Sequence, residues 1–142
     1  MSEAALKRLK IYFQHLTPES VADLGQYYTE NTYFRDPFNE VRDLESLKHI
    51  FSDMFARLHE PHFTITETVL DENSAVLIWD FDFRLKTLKP LRKRRIHGLS
   101  HIRFAADGRV NYHRDYWDAA GELYEQLPII GALMRWLKKR AA

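Results

Sequence analysis

Pro61-His62-Phe63-Thr64-Ile65-Thr66-Glu67-Thr68 is the stretch at which the chain changes character. Phe63, Ile65 and Glu67 alternate with Thr64, Thr66 and Thr68, a period of two rich in β-branched residues that reads as a strand. Immediately before it, Leu44, Leu47, Ile50, Phe51, Met54, Phe55 and Leu58 recur at i, i+3, i+4 and i+7, the spacing of an amphipathic helix. After it, Asp71-Glu72-Asn73-Ser74 reads as a turn, 75–84 as a long strand, 96–104 as another, Asp107-Gly108 as a hairpin turn and 109–118 as the last strand. Helices followed by a run of antiparallel strands predict an α+β layer with helices covering one face of the sheet. A strongly bent sheet of this kind, with N-terminal helices packed across it, makes a cone, and its apolar interior is where a ligand is expected.

The chain start fits this plan. Leu6, Leu9, Ile11, Phe13 and Leu16 recur at roughly helical spacing, and Thr17-Pro18-Glu19 supplies an N-cap with proline at the first helical position. A second short helix is expected through Val21, Leu24 and Tyr28. Tyr33 and Phe34 then run into Arg35-Asp36-Pro37, where a proline without a ladder donor marks the end of a strand. The last segment, 119–139, reads as an extra C-terminal helix broken at Pro128 and Gly131.

At 142 residues, 45% hydrophobic and 29% charged, the chain fits one globular domain spanning 1–142. It has no cysteine, which removes disulfides, thiolate metal sites and cysteine nucleophiles and suits a reducing cytoplasm. The first residues alternate apolar with basic groups, unlike a secretion signal, and no apolar run reaches the length of a membrane span. A soluble cytoplasmic protein is expected. The net charge of +1 argues against nucleic acid as a partner.

The order helix, helix, strand ending in Asp-Pro, long helix and antiparallel strands resembles the NTF2-like superfamily, with its ketosteroid-isomerase-like and SnoaL-like members. Tyr33-Phe34-Arg35-Asp36-Pro37 resembles the segment that carries the isomerase's general base. His101-Ile102-Arg103-Phe104, followed by the Gly108 turn, is similar to that enzyme's penultimate strand and hairpin. The resemblance implies a small apolar or partly polar ligand in the cone, Asp36 as base and Tyr12 as an oxyanion donor; the open sheet face is expected to make a homodimer. Where the isomerase carries a second donor, a neutral carboxylic acid, this chain has Ser100.

Side-chain alternation supplies the other candidates. On the last strand His113, Asp115 and Trp117 share one face. His113 and Asp115 form either an acid/base pair against an aromatic wall or a pair that merely neutralises itself in the sheet. Asp36 is either a partly desolvated base or a turn cap. Asp80 and Asp82 lie opposite Trp79, Phe81 and Phe83. Strand parity places these acids inward, where with Arg94 they resemble the Asp-Arg-Asp arrangement of limonene epoxide hydrolase; the alternative is an outward, solvated position. Tyr33, Phe55, Asp80, Asp82, Ser100, Ile102 and Trp117 complete the expected ligand-binding set. Three readings follow: a proton-transfer enzyme, isomerase- or cyclase-like; a non-catalytic ligand-binding or dimeric interaction module; and an epoxide hydrolase.

Neither cofactor nor metal is expected. His97 and His101 share a strand face but stand too far apart to chelate, and no HExxH motif, phosphate loop or dinucleotide fingerprint occurs. The basic run 86–95 reads as a solvated hairpin tip. The basic C-terminal helix reads as packing over the cone or against a second subunit, with membrane-surface contact the minor alternative.

Overall fold

The computed structural model describes residues 2–85, 93–122, 136, 139 and 140. The basic hairpin tip at 86–92 and most of the expected C-terminal helix, with its membrane-surface contact, lie outside the described residues. A short helix, α3 (Ala119–Glu122), marks the start of that C-terminal segment.

Helix α1 (Ser2–Gln14) buries Leu6, Leu9, Tyr12 and Phe13 and leaves Ile11 half exposed. A 3-10 helix (Ser20–Gln26) follows, buried through Val21 and Leu24. Two apolar anchors three apart suit its three-residue repeat. Thr17 still marks the entry, since its Oγ1 accepts from the Ser20 amide at 3.1 Å. The expected second helix therefore ends sooner than its apolar pattern implied. Tyr28 opens strand β1 (Tyr28–Arg35), whose threonine and aromatic content favours extended backbone. After the two-residue strand β2 (Glu40–Val41), helix α2 (Leu44–Arg57) is capped by Asp43, whose side chain accepts from the Ser46 amide at 2.7 Å. It runs directly into β3 (Leu58–Asp71), with Glu60 at φ 50° absorbing the change of direction. Strands β4 (Ser74–Leu85), β5 (Lys93–Phe104) and β6 (Val110–Trp117) complete the sheet.

The six strands lie in the order β2-β1-β6-β5-β4-β3 in one curved, unclosed sheet. The antiparallel expectation holds for every neighbouring pair except β1 and β6, which run parallel with Phe34 opposite His113. The long α2-to-β5 excursion supplies the crossover that a parallel pair requires. Helices α1 and α2 lie across the concave face, where Leu9, Leu47, Leu77, Ile102 and Val110 are essentially inaccessible. Burying each such side chain contributes about 2 kcal/mol.

Alternation along β4 settles which side faces the helices. Ala75, Leu77, Trp79, Phe81 and Phe83 are buried while the residues between them are partly exposed. Gly98 sits opposite Trp79 in β5, and a Cβ there would lie 2.7 Å from the indole Cη2 and 2.8 Å from the Tyr116 carbonyl oxygen. The glycine is what admits the indole. Gly98→Ala is expected to destabilise the fold by about 1–3 kcal/mol through overpacking, read as a lower urea midpoint at unchanged slope.

Candidate functional site

The concave face narrows to a hollow walled by Phe13, Phe51, Phe63, Ile65, Leu77, Trp79 and Ile102, with Ser100, His113 and Asp115 as its polar members. The enclosed space is about 20 Å³, room for about one water molecule. Adjoining it at Asp115 is an open basin of about 500 Å³ lined by Asp36, Pro37, Asp115, Trp117 and the sheet residues Arg35, Arg114 and Tyr116. Asp115 belongs to both spaces and therefore stands where the narrow interior meets the mouth.

Strand pairing assembles its surroundings. Ser100 lies opposite Asp115, and Ile102 opposite His113, across β5 and β6. The Trp79 Nε1–H donates to Ser100 Oγ at 2.9 Å, and Ser100 Oγ–H donates to Asp115 Oδ1 at 2.5 Å. His113 Nε2 meets the same Asp115 oxygen at 2.6 Å, and its Nδ1 meets the Tyr28 hydroxyl at 2.6 Å. The direction of this chain is fixed at one end, because an indole N–H can only donate. Ser100 must then accept from Trp79 and give its hydrogen to the carboxylate. Facing a carboxylate, the imidazole carries a hydrogen on Nε2, and in its neutral form it takes the Tyr28 hydrogen at Nδ1. Burial, followed by the Asp115 charge, raises the Tyr28 hydroxyl well above its ordinary value, so it stays a donor. Phe34 packs edge-on against the imidazole at 4.8 Å and holds the ring.

Every donor in this chain is spent internally, while Asp115 Oδ2 accepts no hydrogen bond among the described residues. The hollow thus offers acceptors to whatever enters it.

The other expected residues fall elsewhere. Tyr12 does not line the hollow; its hydroxyl donates to the Ser20 carbonyl at 2.7 Å and its ring stacks on Tyr27 at 4.1 Å. Its hydrogen is not available to an oxyanion there, and burial raises that hydroxyl beyond its ordinary range. Ser100, expected at a donor position, likewise has its hydrogen committed. Asp80 and Asp82 point away from the hollow, opposite to the inward placement expected from parity. Asp82 accepts from Arg95 Nε at 2.8 Å and Asp80 pairs with His97 Nδ1 at 2.9 Å, both on the outer face. Burying three aromatics gains more than desolvating two carboxylates, and that decides the strand's orientation. Tyr33 is also on the outer face, stacked on Tyr112 and donating to Glu40 Oε2. Phe55 packs against the core without lining the hollow. Ser100 and Ile102 line the hollow, and Trp117 lines the basin.

Asp36 stands in the basin wall with its Oδ1 accepting from the Phe38 and Asn39 amides at 2.8 and 2.7 Å, so it closes its own turn. Burial raises its carboxyl above the ordinary 3.8; the Phe38 and Asn39 bonds oppose the rise and the Asp115 charge adds to it. Folded protein then holds more proton on Asp36 than unfolded protein between 3.8 and the raised value. This residue's contribution to stability therefore falls as pH rises through that window. Asp36→Asn is expected to remove the decline, visible as a flatter dependence of the urea midpoint on pH above 3.8.

Tyr28, Phe13, Phe51, Phe63 and Trp79 complete the site without having been singled out for it. Their signal was present only as core periodicity. Among the described residues no cluster of His, Cys, Asp and Glu could hold a metal ion, and no helix is long and apolar enough to cross a membrane.

Residues 9–113 match the SnoaL-like domain family. No curated protein matches the chain. Among solved structures, an NTF2-like protein of unknown function from Exiguobacterium sp. 255-15 aligns with a TM-score of 0.68 at 16% identity, over 80% of this chain and 98% of that one. A protein assigned as a SnoaL-like polyketide cyclase, from Shewanella denitrificans OS-217, gives 0.66 at 18% identity over 81% and 93%. An LEH-like epoxide hydrolase from M. tuberculosis gives 0.68 at 14% identity over 83% and 85%. Identities this low speak for the fold and not for a shared reaction. With most of its length matched by the family and its curved sheet matched by these structures, the chain belongs to the SnoaL-like domain family.

Proposed function

We propose that the protein binds a small molecule in the basin, inserts its hydrogen-bond-donating end into the hollow, and takes a proton from it on Asp115. The observation that carries this reading is the chain Tyr28–His113–Asp115–Ser100–Trp79, which presents one carboxylate, with Oδ2 left over, on an otherwise apolar wall. A base must be held within hydrogen-bond reach of its substrate, and two internal donors on Oδ1 fix the orientation of Oδ2. His113 and Ser100 are positioning residues here. Asp36 sits at the mouth, tied to its turn, and adds negative charge near the entrance.

Among the described residues, oxyanion stabilisation of the isomerase kind has no free donor in the hollow, because the hydrogens of Tyr12 and Ser100 are committed. Proton acceptance is what remains. A hydrolytic variant, in which Asp115 draws its proton from a water, is favoured by the size of the inner space. Release of product in heavy-oxygen water separates the two, since only hydrolysis incorporates the label.

The experiment is a thermal-shift screen over apolar alcohols, phenols, amines and epoxides. Ligands that meet Asp115 are expected to raise the melting temperature of the wild type by mass action and to lose most of that rise in Asp115→Asn. Ligands that stabilise both proteins equally would place binding away from this carboxylate and end the proposal.

A further inference from the structure

Accepting the reading that ligands meet Asp115, the acceptor-only character of the hollow says what kind of head group enters. The Trp79 hydrogen goes to Ser100, the Ser100 hydrogen to Asp115, and the Tyr28 hydrogen to His113. What faces the space is a carboxylate oxygen, a serine lone pair and ring faces. No Lys or Arg among the described residues pairs with Asp115 or Asp36. Arg35 and Arg114 line the open basin, the Arg114 guanidinium 4.7 Å from the Tyr116 ring, but neither lines the hollow itself. On the inner face the Asp115 carboxylate is met by Ser100 and His113 on Oδ1 and, among the described residues, by no Lys or Arg; a cation on Oδ2 would offset the cost of holding it against apolar walls.

We infer that the ligand is a primary amine whose ammonium head occupies the inner space against Asp115, with its apolar body in the basin beside Trp117. An ammonium is donor-only and complements a cavity whose described donors are all engaged. It is close to water in size and matches the enclosed 20 Å³, whereas a trimethylated head would not fit. The faces of Trp79 and the phenylalanines attract a cation that a neutral hydroxyl would not match. Asp36 at the entrance adds a second negative charge on the approach.

The test is calorimetric titration at neutral pH with phenethylammonium, its neutral isostere 2-phenylethanol, and phenethyltrimethylammonium. Phenethylammonium is expected to bind the wild type about tenfold tighter than the alcohol or more, a typical margin for a partly buried charge pair. That ratio should shrink to within about threefold in Asp115→Asn and fall more modestly in Asp36→Asn, while the trimethylated probe binds weakly to all. Equal affinity for amine and alcohol, each reduced in Asp115→Asn, would overturn the amine class and leave Asp115 as the binding group. Affinities indifferent to Asp115→Asn would remove both. Should Asp115→Asn not fold, the amine-to-alcohol ratio of the wild type decides by itself: a ratio near one, or no binding by any of a series of phenylalkyl primary amines, overturns the inference.

Discussion

Asp115→Asn is expected to lower turnover of any substrate of the cleft by about two to four orders of magnitude, the range that loss of a positioned general base produces. The substitution keeps the shape and the Oδ1 acceptor for Ser100 and His113 but replaces the accepting Oδ2 with an amide nitrogen that can only donate. The fold should survive, with a melting temperature close to that of the wild type, because neither internal hydrogen bond is lost. Turnover within a few-fold of wild type in the folded variant would show that Asp115 accepts no proton. Asp36→Asn serves as the contrast. Asp36 is bound to its own turn, so its replacement should change kcat far less if Asp115 is the base. A larger loss from Asp36→Asn than from Asp115→Asn would reverse the two roles.

The second large effect is on stability. His113 is buried, and it is the shared partner of Tyr28 and Asp115. His113→Leu keeps the volume filled but leaves the Tyr28 hydroxyl without an acceptor and removes one donor from the carboxylate. Stranding a buried polar group costs about 1–3 kcal/mol, and breaking a buried charged contact costs at the upper end of that range or above. A loss of about 3 kcal/mol is expected in urea unfolding. Tyr28→Phe in the His113→Leu background should recover part of it, since the stranded hydroxyl is then gone. A loss under about 1 kcal/mol would mean that the pair contributes little to the fold.

Much of this was legible beforehand. The apolar repeat from Leu44 marked α2 to within a residue, because a stripe every three to four residues has few other solutions. The shared face of His113 and Asp115 followed from alternation along a single strand, which needs no knowledge of neighbours. What escaped the sequence was contact between distant elements. Tyr28 read as helical because Val21 and Leu24 precede it, and nothing local says that its ring will meet His113 across a parallel pair. Asp80 and Asp82 went to the wrong side for a similar reason. Alternation tells which residues share a face, but only the helices packed above the sheet decide which face is covered. Tyr12 was expected as an oxyanion donor from the resemblance, yet its hydroxyl is drawn to the Ser20 carbonyl, eight residues along the chain.

The parallel seam between β1 and β6 has a temporal consequence. Tyr28 and His113 are separated by 85 positions, and the strand that carries the histidine follows all the others of the sheet along the chain. Closing so long a loop is entropically disfavoured until the intervening strands are in place. A chain that stops short of His113 holds the residues of the helices and of the β3–β4 hairpin, but it has neither the imidazole nor the carboxylate. The cleft therefore requires the finished sheet, β1 against β6 included.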